Sequence, residues 1–343
     1  MAADLKPTLA AVILAAGQGT RMHSALVKVL HPLAGRQMIR HVIGAVHGMG
    51  ADRIICVIGF QADRVQDALS AVPGIEFALQ TEQLGTGHAL QCAAPQLTDF
   101  AGAVLVCCGD TPLLTTTTLQ ALVGAHRAHG GPATLLTAAL DEPAGYGRVV
   151  TDAAGRVARI VEERDADPAT RTIRVINTGV YCFDWKRVMP LLDRLAPDNS
   201  QGERYLTDLM ALLADAGTPG FAVALEDPQE LLGINDRAQL AAAEAILRGR
   251  IRRRLMQQGV TFVAPETTWV DAGVEIGPDT VIYPGVLIEG ATSIGRESVI
   301  GPFSRIVDSH LGPGVELMGW NALTGTTVAG GSIVQPYVRQ GAG

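Results

Sequence analysis

Over roughly the first two thirds of the chain, short apolar runs alternate with amphipathic ones. "AAVILAA", "RIICVIG", "IEFALQ", "AVLVCCG", "ATLLTAAL" and "INTGVYCF" are nearly free of charge, the pattern of strands covered on both faces. Between several of them lie stretches such as "QMIRHVIGAVHGMG" and "TLQALVGAHRAHGG", with apolar residues at helical spacing and glycine at the end. Strand–helix alternation of this kind predicts an α/β, Rossmann-like domain over residues 1–235. Its sheet should be mainly parallel, with helices on both faces and ligands beyond the carboxyl ends of the strands.

The texture then changes twice. "DRAQLAAAEAILRGRIRRRLMQQG" reads as one long helix, ended by Gly259 and serving as a connector over residues 236–259. Over residues 260–343 the dominant period becomes six. Val270, Ile276, Ile282, Ile288, Ile294, Ile300 and Ile306 follow one another in strict register, and the count slips by one to Leu311 before resuming at Leu317 and Leu323. "IGPD", "IGRE", "IGPF" and "LGPG" repeat one turn. A helical period cannot produce this pattern, whereas a hexapeptide parallel β-helix stacks each aliphatic residue on its equivalent in the next coil. About four coils fit, and uncovered solenoid surfaces invite self-association.

Composition narrows the function classes. The 343 residues are 48% hydrophobic and 18% charged, ample for two packed cores, and the net charge of −7 argues against nucleic acid as the main partner. The basic run "RGRIRRR" at 248–254 is expected to be a solvated or interface face of its helix. Cys56, Cys92, Cys107, Cys108 and Cys182 are odd in number and lack C-x-x-C spacing, as expected of free thiols in a reducing cytoplasm. The N-terminal stretch is superficially leader-like but runs directly into a glycine loop, so it reads as a strand of a cytoplasmic protein. No segment has the length of an apolar membrane span.

Three loops carry candidate chemistry. "LAAGQGTRM" (14–22) ends an apolar run in glycines followed by Arg21, with Lys28 seven residues on. Backbone N–H groups and two cations suit a bound phosphate, although a structural turn with surface charges has the same composition. Neither a P-loop nor a dinucleotide fingerprint is present, since no G-K-[ST] follows and Met22 stands where a third glycine would be. In "CGDTPLL" Asp110 follows a strand and suits a hard cation such as Mg²⁺, with Asn235 of "GINDR" as a possible partner. An Asx-turn opening the next helix is the alternative. In "LQTEQLGTGHA" Gly85 and Gly87 leave room for a planar ring, and the amides of Gln80 and Gln83 can read a nucleobase edge; an ordinary loop before a helix would also look like this. His126 and His129 of "HRAH" have metal-pair spacing but no third ligand nearby, and are expected on a solvated helix face.

The order "LAAGQGTRM…K", "LQTEQLGTGHA", "GDTPLL", "AGYGRVV", "IVEERDA", "INTGVY" and "GINDR" resembles the sugar-nucleotidyltransferases. It is most similar to the bifunctional N-acetylglucosamine-1-phosphate uridylyltransferase/glucosamine-1-phosphate acetyltransferase family, from about residue 10 to 310. The resemblance implies a nucleotidyltransferase domain followed by a left-handed β-helix. By the same resemblance Leu14, Ala15, Ala16 and Gly17 hold base and ribose, with Gln80, Gln83, Gly85 and Thr86 completing uracil recognition. Arg21 and Lys28 contact the phosphates, Asp110 and Asn235 bind Mg²⁺, and Gly147, Glu162 and Asn177 contact the N-acetylglucosamine moiety. The partners implied are UTP and N-acetylglucosamine-1-phosphate, with a homotrimer formed through the β-helix.

This chain departs from the family pattern in three places. Val27 precedes Lys28 where proline is usual, and Cys108 stands where an aromatic residue is frequent. The later coils that carry the family's acetyltransferase site have no counterpart here, so acetyl transfer is expected to be absent. Competing expectations are a different base or hexose phosphate on the same fold, or a non-catalytic sugar-nucleotide-binding subunit.

Overall fold

The computed structural model describes residues 8–341; residues 1–7, where the leader-like stretch begins, lie outside the described residues. The chain divides into two compact units, one formed by residues up to His31 together with Met38–Arg237, the other by Pro32–Gln37 together with the chain from Ala238 onward.

The first unit is built on a nine-stranded sheet. Its strands are β1 (Leu9–Leu14), β2 (Arg53–Ile58), β3 (Ile75–Leu79), β4 (Ala103–Cys108), β5 (Ala133–Ala139), β6 (Arg148–Thr151), β7 (Val157–Val161), β8 (Val175–Asp184) and β9 (Phe221–Ala224). They run in the order β9–β5–β8–β4–β1–β2–β3, with β6 paired to β8 and β7 to β6. The principal helices of this unit are α1 (Met38–Gly48), α2 (Ala62–Leu69), α3 (Thr86–Ala93), α4 (Thr116–His129) and α5 (Asp208–Asp215).

The sheet is parallel through β4, β1, β2 and β3. β1 shows why its sequence is unbroken by polar residues. Leu9, Ala11 and Ile13 enter a core with Val42 and Val46 of α1 and Leu122 of α4. Ala10 and Val12 enter another core with Leu90 of α3 and Leu209 and Met210 of α5. Because strand side chains alternate between faces, every position of such a strand must be apolar. Burial of each Leu, Ile or Val contributes about 1.5–3 kcal/mol.

One strand runs against expectation. β8, the "INTGVYCF" run, is antiparallel to both β4 and β5 and is broken by a bulge between Asn177 and Tyr181. It also pairs Ile176 with Arg148 of the β6–β7 hairpin.

In the second unit α6 (Arg237–Gln257, its first residue counted with the first unit) is followed by a left-handed parallel β-helix of three sheets with five, five and four short strands. The six-residue ladder is its core. Val270, Ile288, Ile306 and Leu323 stack in one sheet; Ile276, Ile294, Leu311 and Val328 stack in a second. Ile282, Ile300, Leu317 and Val334 stack in the third. Ile288, Ile300, Ile306, Leu311, Leu317 and Leu323 are wholly buried.

The slip after Ile306 is a turn shortened to Val307–His310, with Asp308 in the left-handed region. Small hydroxyls line that corner: Ser309 N donates to Thr292 Oγ1 (3.3 Å) and Thr326 N to Ser309 Oγ (3.1 Å), so the buried backbone stays bonded where the coil turns.

One expectation is corrected in this unit and another is made specific. The segment Pro32–Gln37, assigned by sequence to the N-terminal domain, belongs here: Ala34 N donates to Glu244 (2.9 Å) and Ala272 N to Ala34 O (2.9 Å). The solvated or interface face expected for "RGRIRRR" is in part an interface. Arg248 is buried and paired with Glu244 (2.6 Å) and Asp271 (3.1 Å), and Arg252 donates to Thr268 O (2.9 Å). Among the described residues no helix is long and apolar enough to cross a membrane.

Candidate active site

At the carboxyl end of β1, where the strand order reverses between β4 and β2, the first unit opens a cleft of about 250 Å³. Ten of the residues predicted from sequence line it: Leu14, Ala15, Ala16, Gly17, Lys28, Gln80, Gln83, Gly85, Thr86 and Asp110. Val29, Ala89, Cys108 and Glu203 complete the wall.

The loop after β1 folds back on itself. Gly19 has φ +64°, and a Cβ there would lie 2.5 Å from Lys28 Cβ, so only glycine lets the loop pack against the lysine stem. Buried Met22 anchors the turn Thr20–Met22, while Arg21 on that turn is exposed and does not line the cleft. Lys28 Nζ forms an ion pair with Asp110 and lies 3.2 Å from Asn235 Oδ1. Two oxygens from distant segments therefore converge on one cation, and both are hard donors of the kind Mg²⁺ takes.

Their convergence has a physical cause. Ile234 N donates to Asp110 O (2.9 Å), and buried Glu230 fastens the same segment to the start of α4. The Glu230 carboxylate accepts from Thr115 N (2.9 Å), Thr115 Oγ1 (3.2 Å) and Thr118 Oγ1 (3.0 Å). Sequence reasoning missed Glu230, because nothing in "PQELLG" separates it from a solvated glutamate.

The opposite wall is held as firmly. Gln80 is buried, and its Nε2 donates to Gly85 O (3.1 Å) and lies 3.2 Å from His88 Nδ1; Gln83 Nε2 donates to Gln80 O (3.4 Å). Gly87 N and Arg204 N bond to Arg204 O and Leu84 O (2.8 Å each), and Leu206 N donates to Thr86 Oγ1 (3.1 Å). The loop thus presents fixed amide and backbone groups to the cleft, but a Cβ at Gly85 would lie 2.5 Å from Arg204 O and one at Gly87 2.6 Å from Leu195 Cδ1, so these glycines admit the Arg204 segment rather than leave room for a planar ring.

Gly147, Glu162 and Asn177 also come together, outside the lining of this cleft. Asn177 N donates to Gly147 O (2.8 Å), and a Cβ on Gly147 would lie 3.3 Å from Glu162 Oε2. Asn177 stands at the bulge of β8, where its Oδ1 accepts from Gly179 N (3.1 Å). Burial pushes the Glu162 carboxyl above its ordinary range, partly offset by the hydrogen bond from Thr207 Oγ1 (3.1 Å). The Cys108 thiol is pushed up to about 12 by burial and by Asp110, which makes it a neutral wall rather than a nucleophile. Cys107 is fully buried, and all five cysteines are free thiols.

One histidine reading is corrected. His126 is buried, with Nδ1 3.1 Å from Thr134 Oγ1, and not on a solvated face; His129 is exposed and stacks on Phe221 at 4.3 Å between centroids.

Residues 11–260 match the model of the MobA-like NTP transferase domain. A bifunctional protein GlmU of Trichlorobacter lovleyi is 47% identical over 330 residues, covering 96% of this chain and 72% of that protein. Those of Pelobacter propionicus and Geobacillus thermodenitrificans are 52% and 49% identical over 84% and 88% of this chain, or 63% and 65% of theirs. The chain belongs to the GlmU family. It spans about two thirds of the length of these relatives. Within that family its first unit is a nucleotidyltransferase, and the cleft at the end of β1 is the candidate seat of the nucleoside triphosphate.

Proposed function

We propose that this chain transfers UMP from UTP to N-acetylglucosamine-1-phosphate, giving UDP-N-acetylglucosamine and pyrophosphate, with Mg²⁺ as its metal. The observation that carries the reading is the meeting of the glycine loop, the Gln80–Thr86 wall and the Lys28–Asp110–Asn235 cluster in one cleft. Amides fixed by the loop's own hydrogen bonds favour recognition of one base edge. The Gly147–Glu162–Asn177 group adds polar atoms suited to the amide and hydroxyls of an N-acetylated sugar.

The reaction joins two polyanions. An oxygen of the sugar phosphate attacks the α-phosphorus of UTP, the bond between that phosphorus and its bridging oxygen to the β-phosphate breaks, and pyrophosphate leaves. No protein nucleophile is needed, so positioning and charge stabilisation supply the rate. Backbone N–H groups of the loop and the side chains of Lys28 and Arg21 would meet the phosphate oxygens. Asp110 and Asn235 would hold Mg²⁺, which when bound supplies neutralisation of phosphate charge. For this role the Lys28 ammonium must leave the Asp110–Asn235 pair and turn to phosphate. Free thiols are consistent with a cytoplasmic setting, and the exposed sides of the short solenoid favour a homotrimer built through it.

Pyrophosphate release tests the reading, measured with UTP, N-acetylglucosamine-1-phosphate and Mg²⁺ and with the sugar phosphate omitted as control. Release that depends on the sugar phosphate, and that falls sharply with other triphosphates or hexose phosphates, is the expected result. Release with another base or sugar alone would transfer the assignment to that substrate, and none with any pair would leave a binding protein.

A further inference from the structure

Beside the sugar-side group a buried arginine pairs with a part-exposed glutamate, and the proposed chemistry uses neither. Arg148 of β6 is 2% exposed, and its Nη2 sits 2.7 Å from Glu163 Oε2. Nη1 donates to the carbonyl of Tyr146, and Nε has no partner. The Glu163 carboxylate also accepts from Gly145 N (3.3 Å), and Arg171 approaches its other oxygen at 3.7 Å. The Arg148 guanidinium accordingly holds the Glu163 carboxyl below the ordinary range.

The placement of this pair in the chain gives it a function. Arg148 follows Gly147, and Glu163 follows Glu162. Glu163 lies in the turn that Asp165 N closes on Glu162 O (3.0 Å) directly after β7, so the ion pair stands one residue from Gly147 on one segment and one residue from Glu162 on the other. It ties the loop Pro143–Gly147 to the end of β7 by a side-chain pair and two backbone groups, Gly145 N–H and Tyr146 C=O. A buried guanidinium is costly to desolvate and is tolerated where a partner and fixed geometry compensate. The same two loops carry Gly147 and Glu162, which must keep their spacing to read a small polar ligand.

We infer that Arg148, acting through Glu163, is a positioning residue that sets the sugar-phosphate side of the site and leaves the nucleotide side untouched. This inference rests on the proposed uridylyl transfer. Its test uses the full chain with Arg148→Met, Arg148→Lys and Glu163→Gln, the last at a part-exposed position where folding is least threatened. Steady-state kinetics give separate KM values for UTP and N-acetylglucosamine-1-phosphate, and UTP binding alone is followed by calorimetry.

For Arg148→Met and Glu163→Gln, KM for the sugar phosphate should rise roughly ten- to a hundredfold, the scale of a misplaced substrate contact, while KM and Kd for UTP stay within about twofold. Arg148→Lys, which keeps the charge but not the planar fork, should fall between wild type and Arg148→Met. Equal rises in both KM values, or unchanged kinetics in the folded variants, would overturn the inference while wild-type turnover stands. Wild-type protein inactive with N-acetylglucosamine-1-phosphate would overturn the underlying reading together with it.

Discussion

In β1 adjacent residues enter two different cores, whereas in the β-helix every sixth residue enters one. The first arrangement needs helices on both faces and ends each strand in a loop of individual length. Those loops are where glycines, charges and amides collect. The second repeats one turn with little variation, and the backbone of each coil bonds to the next. Its internal polar groups, such as Thr292, Ser309 and Thr326, are occupied in closing corners. The candidate site residues of this molecule therefore gather where regularity is interrupted: at the end of β1, after β4, and at the bulge of β8.

This contrast predicts that damage to the two regions separates activity from stability. The largest effect is expected at the cleft. Asp110→Ala removes the carboxylate that faces Lys28 and should lower turnover about a thousandfold or more, about 4 kcal/mol in barrier, with the urea unfolding curve nearly unchanged. Next comes the solenoid. Ile306→Ala, at a wholly buried rung between Ile288 and Leu323, should cost about 2–5 kcal/mol in the unfolding of that unit and leave kcat close to wild type. Loss of turnover in the second variant, or of stability alone in the first, would blur the division.

A smaller, pH-dependent effect is expected at Glu162. Burial raises its folded pKa above the unfolded value, so folding favours the protonated form. The stability attached to that proton is complete below the unfolded pKa and is lost as pH rises through the folded one. Glu162→Gln, which cannot ionise, should match wild type in Tm at acid pH and exceed it increasingly as pH rises. A gap in Tm that is constant with pH would contradict this. The smallest effect belongs to the exposed pair Arg174–Asp141: Arg174→Ala should change unfolding free energy by less than about 0.5 kcal/mol.

Much of this was legible in the order of residues. The β-helix could be read rung by rung because its period of six has no helical or simple-strand equivalent, and even the slip at Leu311 corresponds to one shortened turn. The cleft was legible because glycines, amides and cations cluster at strand ends. Strand direction was not: the buried half of β8, Val180–Phe183, is apolar like β1, and apolarity reports burial without orientation. Long-range partners of acidic side chains were equally hidden, since Glu163 and Glu230 resemble solvated acids until the fold sets Arg148 and Thr115 beside them. Two buried polar residues did carry a signal. His126 continues the stripe Leu119, Leu122, Val123 at helical spacing, and Arg248 shares one with Ile251 and Leu255. Position on the stripe outweighed the polarity of the side chain.

The central claim, that the cleft at the end of β1 carries out sugar-dependent uridylyl transfer, is tested most directly by ³¹P NMR of the full chain incubated with UTP, N-acetylglucosamine-1-phosphate and Mg²⁺. The expected result is loss of the triphosphate and sugar-phosphate signals, the coupled pair of a sugar diphosphate, and pyrophosphate in equal amount, none of them with Asp110→Ala. Unchanged substrates with wild-type protein, or the same products from Asp110→Ala at the wild-type rate, would contradict it.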